Sequence, residues 1–370
     1  MTTTIARLDC WVLRAPIAVP VANAFGAMTN RPAVFLRMEA SDGAHGWGEV
    51  FANFPQVGAE HRARLVSSIF APLLSGASDD IAATRALLDA RTRRMALQCG
   101  EPGPFAQVIG AIDQALWDLA ARRAGVPLWK LLGGGPRVRV YASGIGPDDV
   151  VTTARAKHAE GYRAFKLKVG FGAQRDVGNL RALREALGDD ALIMTDANQA
   201  WTAAEAPARI AGLAPFRPHW IEEPIMADER LDAWRALAAA SDVPLAAGEN
   251  MRGDDSFRTM LEARVLRFVQ PDVGKWGGIS AARDIAGLAR LHDAVVCPHW
   301  LAGGIGLAAS MHMLAACGTA ASLAEVDANP NPLREEVFPV SVVDGVVTLG
   351  DAPGLGIEPD LARLARYVQK

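Results

Sequence analysis

Seven polar residues recur along the second half of this chain at the pace of one structural unit: Lys168, Asp196, Glu222, Glu249, Asp272, His299 and Glu325 follow one another every 23 to 28 residues. Each closes a short β-branched or apolar run: "AFKLKVG", "ALIMTDAN", "HWIEEP", "PLAAGEN", "LRFVQPD", "AVVCPHW" and "SLAEVDA". An eighth run, "VRVYASG", precedes them, and Ala/Leu/Arg-rich helical patterns fill the gaps. Eight βα-type units over about 190 residues fit a β/α barrel better than a doubly wound sheet, which usually has fewer strands and a glycine-rich phosphate turn. Neither G-x-G-x-x-G opening a helix nor a P-loop is present. In a barrel the C-terminal ends of neighbouring strands converge on one mouth, so the spacing itself predicts a site.

Three of the converging groups, Asp196, Glu222 and Glu249, come from successive strands. Three carboxylates without a counter-charge repel one another strongly, and a divalent cation resolves the repulsion. All-oxygen ligation favours Mg²⁺ over a softer metal. One flank of this triad carries two lysines. Side chains alternate across a strand, so Lys166 and Lys168 in "FKLKVG" share one face while Phe165, Leu167 and Val169 take the other. Two ammonium groups on a buried face are costly unless they work. We expect one lysine to depress the pKa of the other and so create a base, and Lys166 to bind the anionic end of a substrate. On the other flank Asp272 precedes His299 by one strand, and an aspartate that accepts from one imidazole nitrogen fixes the tautomer and raises basicity.

The rest of the composition narrows the class. Hydrophobic residues at 50% supply a large core, while a net charge of −3 argues against a polyanion-binding surface, so nucleic acid is not expected as a partner. The start "MTTTIARLDC" lacks a basic flank and apolar core, and no window offers the roughly 18 apolar residues of a membrane span. Cys10, Cys99, Cys297 and Cys317 are scattered without a C-x-x-C pair. That pattern suits a reducing cytoplasm, and a soluble cytoplasmic protein is the expectation.

Upstream of the repeat, "IARLDCWVLR", a Pro/Ala/Gly-rich loop "PIAVPVANAFGAMTNRP", "AVFLRMEASDG" and "GWGEV" read as a small antiparallel sheet, with a turn at Ser41-Asp42-Gly43. Helical periodicity takes over near Ala59. In "FAQVIGAIDQALWDLAARRAG" it places Val108, Ile112, Ala115, Leu116 and Leu119 on one stripe ended by Gly125. The expected architecture is therefore an α+β cap over residues 1–127, a barrel over 128–331, and a segment 332–370 that packs back on the cap.

Taken together, "GWGE", "AIDQALWDLAARRAGVPLWKLLGG", "FKLKVG", "TDAN", "WIEEP", "GEN", "QPDVGKWGGIS", "CPHW" and "LAEVD" resemble the enolase superfamily, and within it the mandelate racemase subgroup, over essentially the whole chain. Enolase-superfamily sites use a Lys or His base with Mg²⁺. The resemblance implies an α/β fold with a modified TIM barrel, (β/α)7β, under an N-terminal α+β capping domain completed by the C-terminal tail. It implies Mg²⁺ on Asp196, Glu222 and Glu249, Lys168 as one base, and Asp272 with His299 as the opposite acid or base. Glu325 would bond the substrate carboxylate on the side away from Lys166, and Lys275 would stand beside the aspartate of the dyad. The muconate-lactonising branch would lack a histidine after the seventh strand, which His299 supplies. The family often forms dimers or octamers, so a homo-oligomer is expected.

The reaction implied is abstraction of the proton α to the carboxylate of a small hydroxy acid, giving an enediolate whose charge is held by Mg²⁺, Lys166 and Glu325. Resemblance favours dehydration of an aldonate or aldarate to a 2-keto-3-deoxy acid. Racemisation or epimerisation of a 2-hydroxy acid such as mandelate is the alternative. A Schiff-base aldolase would not need three carboxylates in register, and a non-catalytic binding relative would lack some of these groups. The stretches Asn23–Arg31 and Val50–Pro55 are expected to close over the mouth. There Asn23, Thr29, Asn30 and Asn53 would read hydroxyls and Arg31 a distal carboxylate, while Phe25, Phe51 and Phe54 suit an apolar part. Asn198, next to Asp196, joins the substrate-binding candidates. Trp276 and Trp300 serve equally well as pocket wall or as packing. Cys297 and the other histidines read as structural.

Overall fold

The structure is a computed structural model and describes residues 3–23, 26–55 and 57–369. Its N-terminal part is a three-stranded antiparallel sheet, β1 (Ile5–Asn23), β2 (Gly26–Ala40) and β3 (His45–Val50). Against it pack α1 (Gly58–Leu65), α2 (Ala71–Leu74), α3 (Ile81–Gln98) and α4 (Pro102–Arg123). Val34, Leu36 and Met38 of β2 meet Val108, Ile112, Ala115 and Leu116 of α4 in one apolar cluster. Gly46 and Gly48 let α4 lie directly on β3, because a Cβ at either would fall 2.0 Å from a backbone oxygen of that helix.

One reading of this region needs correction. The proline-rich stretch 16–32, expected as a loop, continues β1 and β2 as a ribbon over its described residues, with Val21 opposite Met28 and Ala22 opposite Ala27 after an irregularity between Pro16 and Val21. Among the described residues β1 forms a ladder with β2 alone, apart from an isolated bridge of Leu13 to Val368, and an edge strand tolerates prolines that cannot donate to the ladder.

After α5 (Leu128–Leu131) the chain alternates: β4 (Arg137–Ile145), α6 (Val150–Ala159), β5 (Ala164–Lys168), α7 (Ala173–Leu187), β6 (Leu192–Asp196), α8 (Ala206–Leu213), β7 (Ile221–Glu222), α9 (Leu231–Ala240), β8 (Leu245–Ala247), α10 (Gly253–Glu262), β9 (Phe268–Val269), α11 (Gly278–Leu291), β10 (Val295–Val296), α12 (Gly304–Cys317) and β11 (Ala324–Asp327). The eight strands are parallel, run β10-β9-β8-β7-β6-β5-β4-β11, and are joined in sequence by the seven helices α6 to α12, the (β/α)7β pattern. Each expected strand lies where its apolar run predicts it.

The pleat explains why. Phe165, Leu167, Ile193, Ile221, Leu245, Val269, Val296 and Ala324 face the helices and join the large outer core. Tyr141, Ala164, Met194, Trp220, Ala246, Phe268, Val295 and Leu323, one from each strand or from the position just before it, fill the interior together with Cys297 as a single cluster. Two residues further along most of these strands the interior turns polar: Ser143, Lys166, Asp196, Glu222, Gln270 and Glu325, all buried. One step of the pleat, roughly 6.6 Å, separates a dry floor from a charged layer.

The tail adds α13 (Pro332–Glu335), β12 (Val346–Thr348), which pairs with β4, and α14 (Leu361–Leu364). It returns to the cap through Leu355 N, which donates to Asp118 at 2.7 Å, and through Glu358, which accepts from Arg122 and Trp47. Among the described residues no helix is long and apolar enough to cross a membrane.

Candidate active site

The charged layer is a set of paired opposites. Lys166 Nζ lies 2.8 Å from both oxygens of Glu222, 2.7 Å from Glu325 Oε1 and 3.6 Å from Asp196 Oδ2. Lys168 Nζ donates to Asp196 Oδ2 at 2.6 Å and Asn198 Oδ1 at 2.7 Å. Lys275 Nζ donates to Glu249 Oε2 at 2.5 Å and Asn250 Oδ1 at 3.2 Å. His299 Nδ1 is 2.6 Å from Asp272 Oδ2, and its Nε2 is 3.4 Å from Glu249 and 3.8 Å from Glu325.

These contacts alter the sequence-based view of the lysines. Burial opposes charge on Lys166, but Glu222, Glu325 and Asp196 outweigh it and hold its ammonium well above the ordinary lysine value. Glu222 is pushed up to about 7, by burial first and then by repulsion from Asp196. Burial also opposes Glu249, yet His299 and Lys275 hold it far below the usual carboxylate range. For His299 burial works against protonation, while Glu249, Glu325 and the bond to Asp272 raise it to about 9.

Asp196, Glu222 and Glu249 each offer an oxygen within 4.8 Å of the others. Three buried carboxylates converging this closely are a fit donor set for a hard divalent cation.

Above the layer is a cavity of about 680 Å³. Lys168, Asn198, Glu249, Lys275 and His299 form its base. Met28, Phe51, Asn53 and Phe54 of the cap, and Met226, Asp228, Arg252 and Trp276 of the barrel loops, are among its walls. Pro102 to Pro104 and Gln107, at the start of α4, also line it and carry no polar periodicity that would mark them in the sequence.

Several expected substrate contacts lie elsewhere. Arg31 is fully buried; it pairs with Asp327 and donates to Pro330 O at 3.2 Å, because β2 crosses the segment after β11 and a buried guanidinium requires a counter-charge. It is absent from the described cavity wall. Asn30 Oδ1 accepts from Arg14 at 3.2 Å. Trp300 is packing: its ring lies on Gly274 and Gly306, and its Nε1 donates to Gly303 O at 2.8 Å. Asn53 does line the cavity, but its Nδ2 is committed to Leu301 O at 2.8 Å. Phe25 lies outside the described residues, and Asn23 is described only as the end of β1. Glu325 stands against Lys166 instead of away from it, since β11 pairs with β4 and β4 with β5. Its Oε2 accepts from Trp300 N at 3.0 Å, and Ser143 Oγ donates to its Oε1.

Sequence reasoning missed Ser143, Gln270 and Glu223. Gln270 Nε2 donates to Glu222 at 2.5 Å, and Glu223 accepts from Asn250 Nδ2 at 2.8 Å. The first two follow an interior apolar residue, Tyr141 or Phe268, by two positions, which is the signal that would have found them.

With this geometry in view, comparison with known proteins is direct. The family of mandelate racemase / muconate lactonizing enzyme N-terminal domains matches residues 6–133, and the enolase C-terminal domain-like family matches residues 149–363. The chain therefore belongs to the mandelate racemase and muconate lactonizing enzyme group of the enolase superfamily. Among solved structures, a mandelate racemase/muconate lactonizing enzyme from Bordetella bronchiseptica is 49% identical with a TM-score of 0.94, covering 99% of this chain and 100% of that one. A racemase from Streptomyces coelicolor with bound magnesium is 33% identical, TM-score 0.89, with the same coverage. A D-galactarolactone cycloisomerase from Agrobacterium fabrum is 33% identical over 96% of both chains. A D-galactonate dehydratase from Ralstonia nicotianae is 34% identical over 76% of this chain and 74% of its own.

Proposed function

We propose that this chain is a magnesium-dependent enzyme that removes the α-proton of a sugar acid and eliminates its β-oxygen. The observation that carries the reading is the order of strands around the triad. Lys168 on β5 and the Asp272–His299 pair at the ends of β9 and β10 flank the three carboxylates of β6, β7 and β8. Two groups able to move protons thus address one bound acid from two sides.

A divalent cation on Asp196, Glu222 and Glu249 would supply positive charge for the substrate carboxylate. Lys166, held charged by its partners, adds a fixed cation below the same point. Lys168 takes the α-proton. His299, oriented through Nδ1 by Asp272, presents Nε2 toward the cavity and protonates the departing β-oxygen. Phe51, Phe54 and Trp276 keep water from the reacting carbon. When the β-oxygen is a free hydroxyl it leaves as water, and the product is a 2-keto-3-deoxy acid.

A second reading has its own support in the cycloisomerase relative, which matches nearly the full chain. If the β-oxygen belongs to a ring, the same two proton transfers open the ring and yield an isomer. A screen of aldonic and aldaric acids, their lactones and anhydro sugar acids, with Mg²⁺ in D₂O, tests both. Product mass reports loss of water or none, and proton NMR reports α-deuteration. The keto-acid product should disappear with Lys168→Ala and with His299→Asn. Deuteration with inversion and no keto acid would replace elimination by racemisation, and product formation that survives chelation would remove the metal from the reading.

A further inference from the structure

The two loops that carry the histidine–aspartate pair are held from the cap. His299 leads through Trp300–Gly303 into α12, and Asp272 leads through Val273–Gly277 into α11. Glu49, at the end of β3 and fully buried, accepts from Gly303 N at 2.6 Å and Gly306 N at 3.0 Å, the first turn of α12. Asp113 of α4, also buried, accepts from Ser280 N at 2.9 Å and Ser280 Oγ at 2.6 Å, the first turn of α11. Between them Gln114 accepts from Glu49 N at 3.0 Å and donates to Glu49 O at 3.2 Å and to Val273 O at 2.9 Å. Val273 is the neighbour of Asp272.

The approach is too close for side chains. A Cβ at Gly303 would lie 2.5 Å from Glu49 Oε1, and one at Gly278, whose φ is +73°, would lie 2.4 Å from Asp113 Oδ2. The His299 loop has no slack elsewhere. Trp300 N is bound to Glu325, Leu301 O to Asn53, Ala302 O to Asn331 and Gly303 O to the Trp300 indole. Carboxylates at helix N-termini are electrostatically favoured, which repays part of the cost of burying them. Yet burial still dominates at Glu49, whose carboxyl is pushed up to about 8. Each loop of the pair thus enters a helix whose first turn is held by one buried cap carboxyl.

We propose that Glu49 and Asp113 are positioning residues for the Asp272–His299 pair: the cap fixes the distance and angle of that pair by anchoring the two helices that follow it. The lysine side of the site, on β5 and β6, receives no such anchor from these residues. Loss of either carboxylate is thus expected to impair the histidine side selectively.

The inference rests on the role proposed above for His299, so its first test needs no substrate. The Nδ1–H bonded to Asp272 should give a far-downfield imidazole proton signal, assigned by its absence in His299→Asn. Glu49→Gln keeps the shape but turns an amide NH₂ toward one of the two backbone donors. It should shift or broaden that signal, as should Asp113→Asn. Asp118→Asn is the control. It removes a cap carboxylate bonded to Trp47 N, Leu355 N and Arg122 but to neither loop, and should lower stability without moving the signal.

On an acid that the enzyme deuterates, Glu49→Gln should reduce the His299-dependent step by about tenfold or more, the scale that small misplacement carries. Removal of the α-proton by Lys168, read as single-turnover exchange, should change by less than about twofold. A folded Glu49→Gln or Asp113→Asn protein with the wild-type signal and the wild-type ratio of the two steps would overturn the proposal, and so would an equal shift in Asp118→Asn. If Glu49→Gln does not fold, Asp113→Asn decides alone. A wild-type signal disturbed as expected, in a protein that exchanges no α-proton on any acid, would sink the functional reading and leave the positioning role intact.

Discussion

Replacing Lys166 by methionine asks how much of this fold depends on charges that meet only in its centre. The side chain is fully buried, with both oxygens of Glu222 at 2.8 Å, Glu325 at 2.7 Å and Asp196 at 3.6 Å. Methionine preserves length and volume, so little cavity is created, and the loss is that of one partner from a buried ionic cluster, about 3–5 kcal/mol. For a chain of 370 residues the unfolding entropy is about 0.8 kcal/mol per kelvin, which converts this loss into a fall in Tm on the order of 5 °C in the presence of chelator. Mg²⁺ should then raise the Tm of both proteins by mass action, about 2.7 kcal/mol at a hundredfold excess over Kd. At the same Mg²⁺ concentration the rise should be smaller in the variant, where Glu222, without the Lys166 ammonium, is driven further toward protonation and holds the cation less well. Scanning calorimetry of both proteins, with EDTA and with Mg²⁺, measures all four values. A variant within about 1 kcal/mol of wild type in EDTA, or equal Mg²⁺ shifts in the two proteins, would refute the reasoning.

Three further outcomes follow from the same structure. His312 is buried and its Nδ1 accepts from Trp129 N at 3.0 Å, so the ring is neutral in the fold; burial holds it near 4 against an ordinary 6.5. The unfolded chain therefore binds the extra proton between those values, stability is fully present above about 6.5 and declines as pH falls toward 4, by about 3 kcal/mol in all. Urea unfolding of His312→Gln should show a correspondingly flatter dependence over that window than wild type. Gly306→Ala would place a Cβ 2.0 Å from the Trp300 ring, and overpacking there should cost about 1–3 kcal/mol in equilibrium unfolding, or more if the ring cannot shift. In titration calorimetry Glu249→Gln should weaken Mg²⁺ binding more than Lys275→Met does, the latter by roughly 10–100-fold as the loss of a partner that orients a ligand.

What could be read from the sequence is what alternation encodes. Phe165, Lys166, Leu167 and Lys168 state a strand with one apolar and one charged face, and the same two-residue step recurs with enough regularity to place eight strands and the triad. What could not be read is which oppositely charged groups face each other across strands. Lys166 taken alone suggested a repelled ammonium, whereas β7 and β11 deliver Glu222 and Glu325 to it. Arg31 looked free for a ligand because nothing local announces that Asp327, almost three hundred residues later, lies beneath β2. The ribbon through Pro16 and Pro20 was hidden because proline argues against a strand unless the strand is an edge, and edges are a property of the assembled sheet.

The pairing within the triad bears on how such a site can exist before it holds a metal. Asp196 is matched by Lys168, Glu222 by Lys166 and Glu249 by Lys275, one lysine to each carboxylate. Without these partners three buried carboxylates would each be driven toward protonation, and protonated oxygens are poor ligands for a hard cation. The lysines hold the cluster near neutrality, so the chain can fold with its ligand set assembled. That neutrality has a consequence for binding. A divalent cation entering a cluster already neutralised by lysines leaves surplus positive charge at the base of the cavity, and an anionic ligand compensates it. Removing Lys168 or Lys275 should therefore weaken the hold on an acid's carboxylate even where it leaves the three metal-ligand side chains untouched. Equilibrium dialysis of a bound acid, with Mg²⁺ held saturating for each variant, would separate that loss from any loss of metal; unchanged acid affinity in both Lys168→Met and Lys275→Met would show that the lysines serve the carboxylates only.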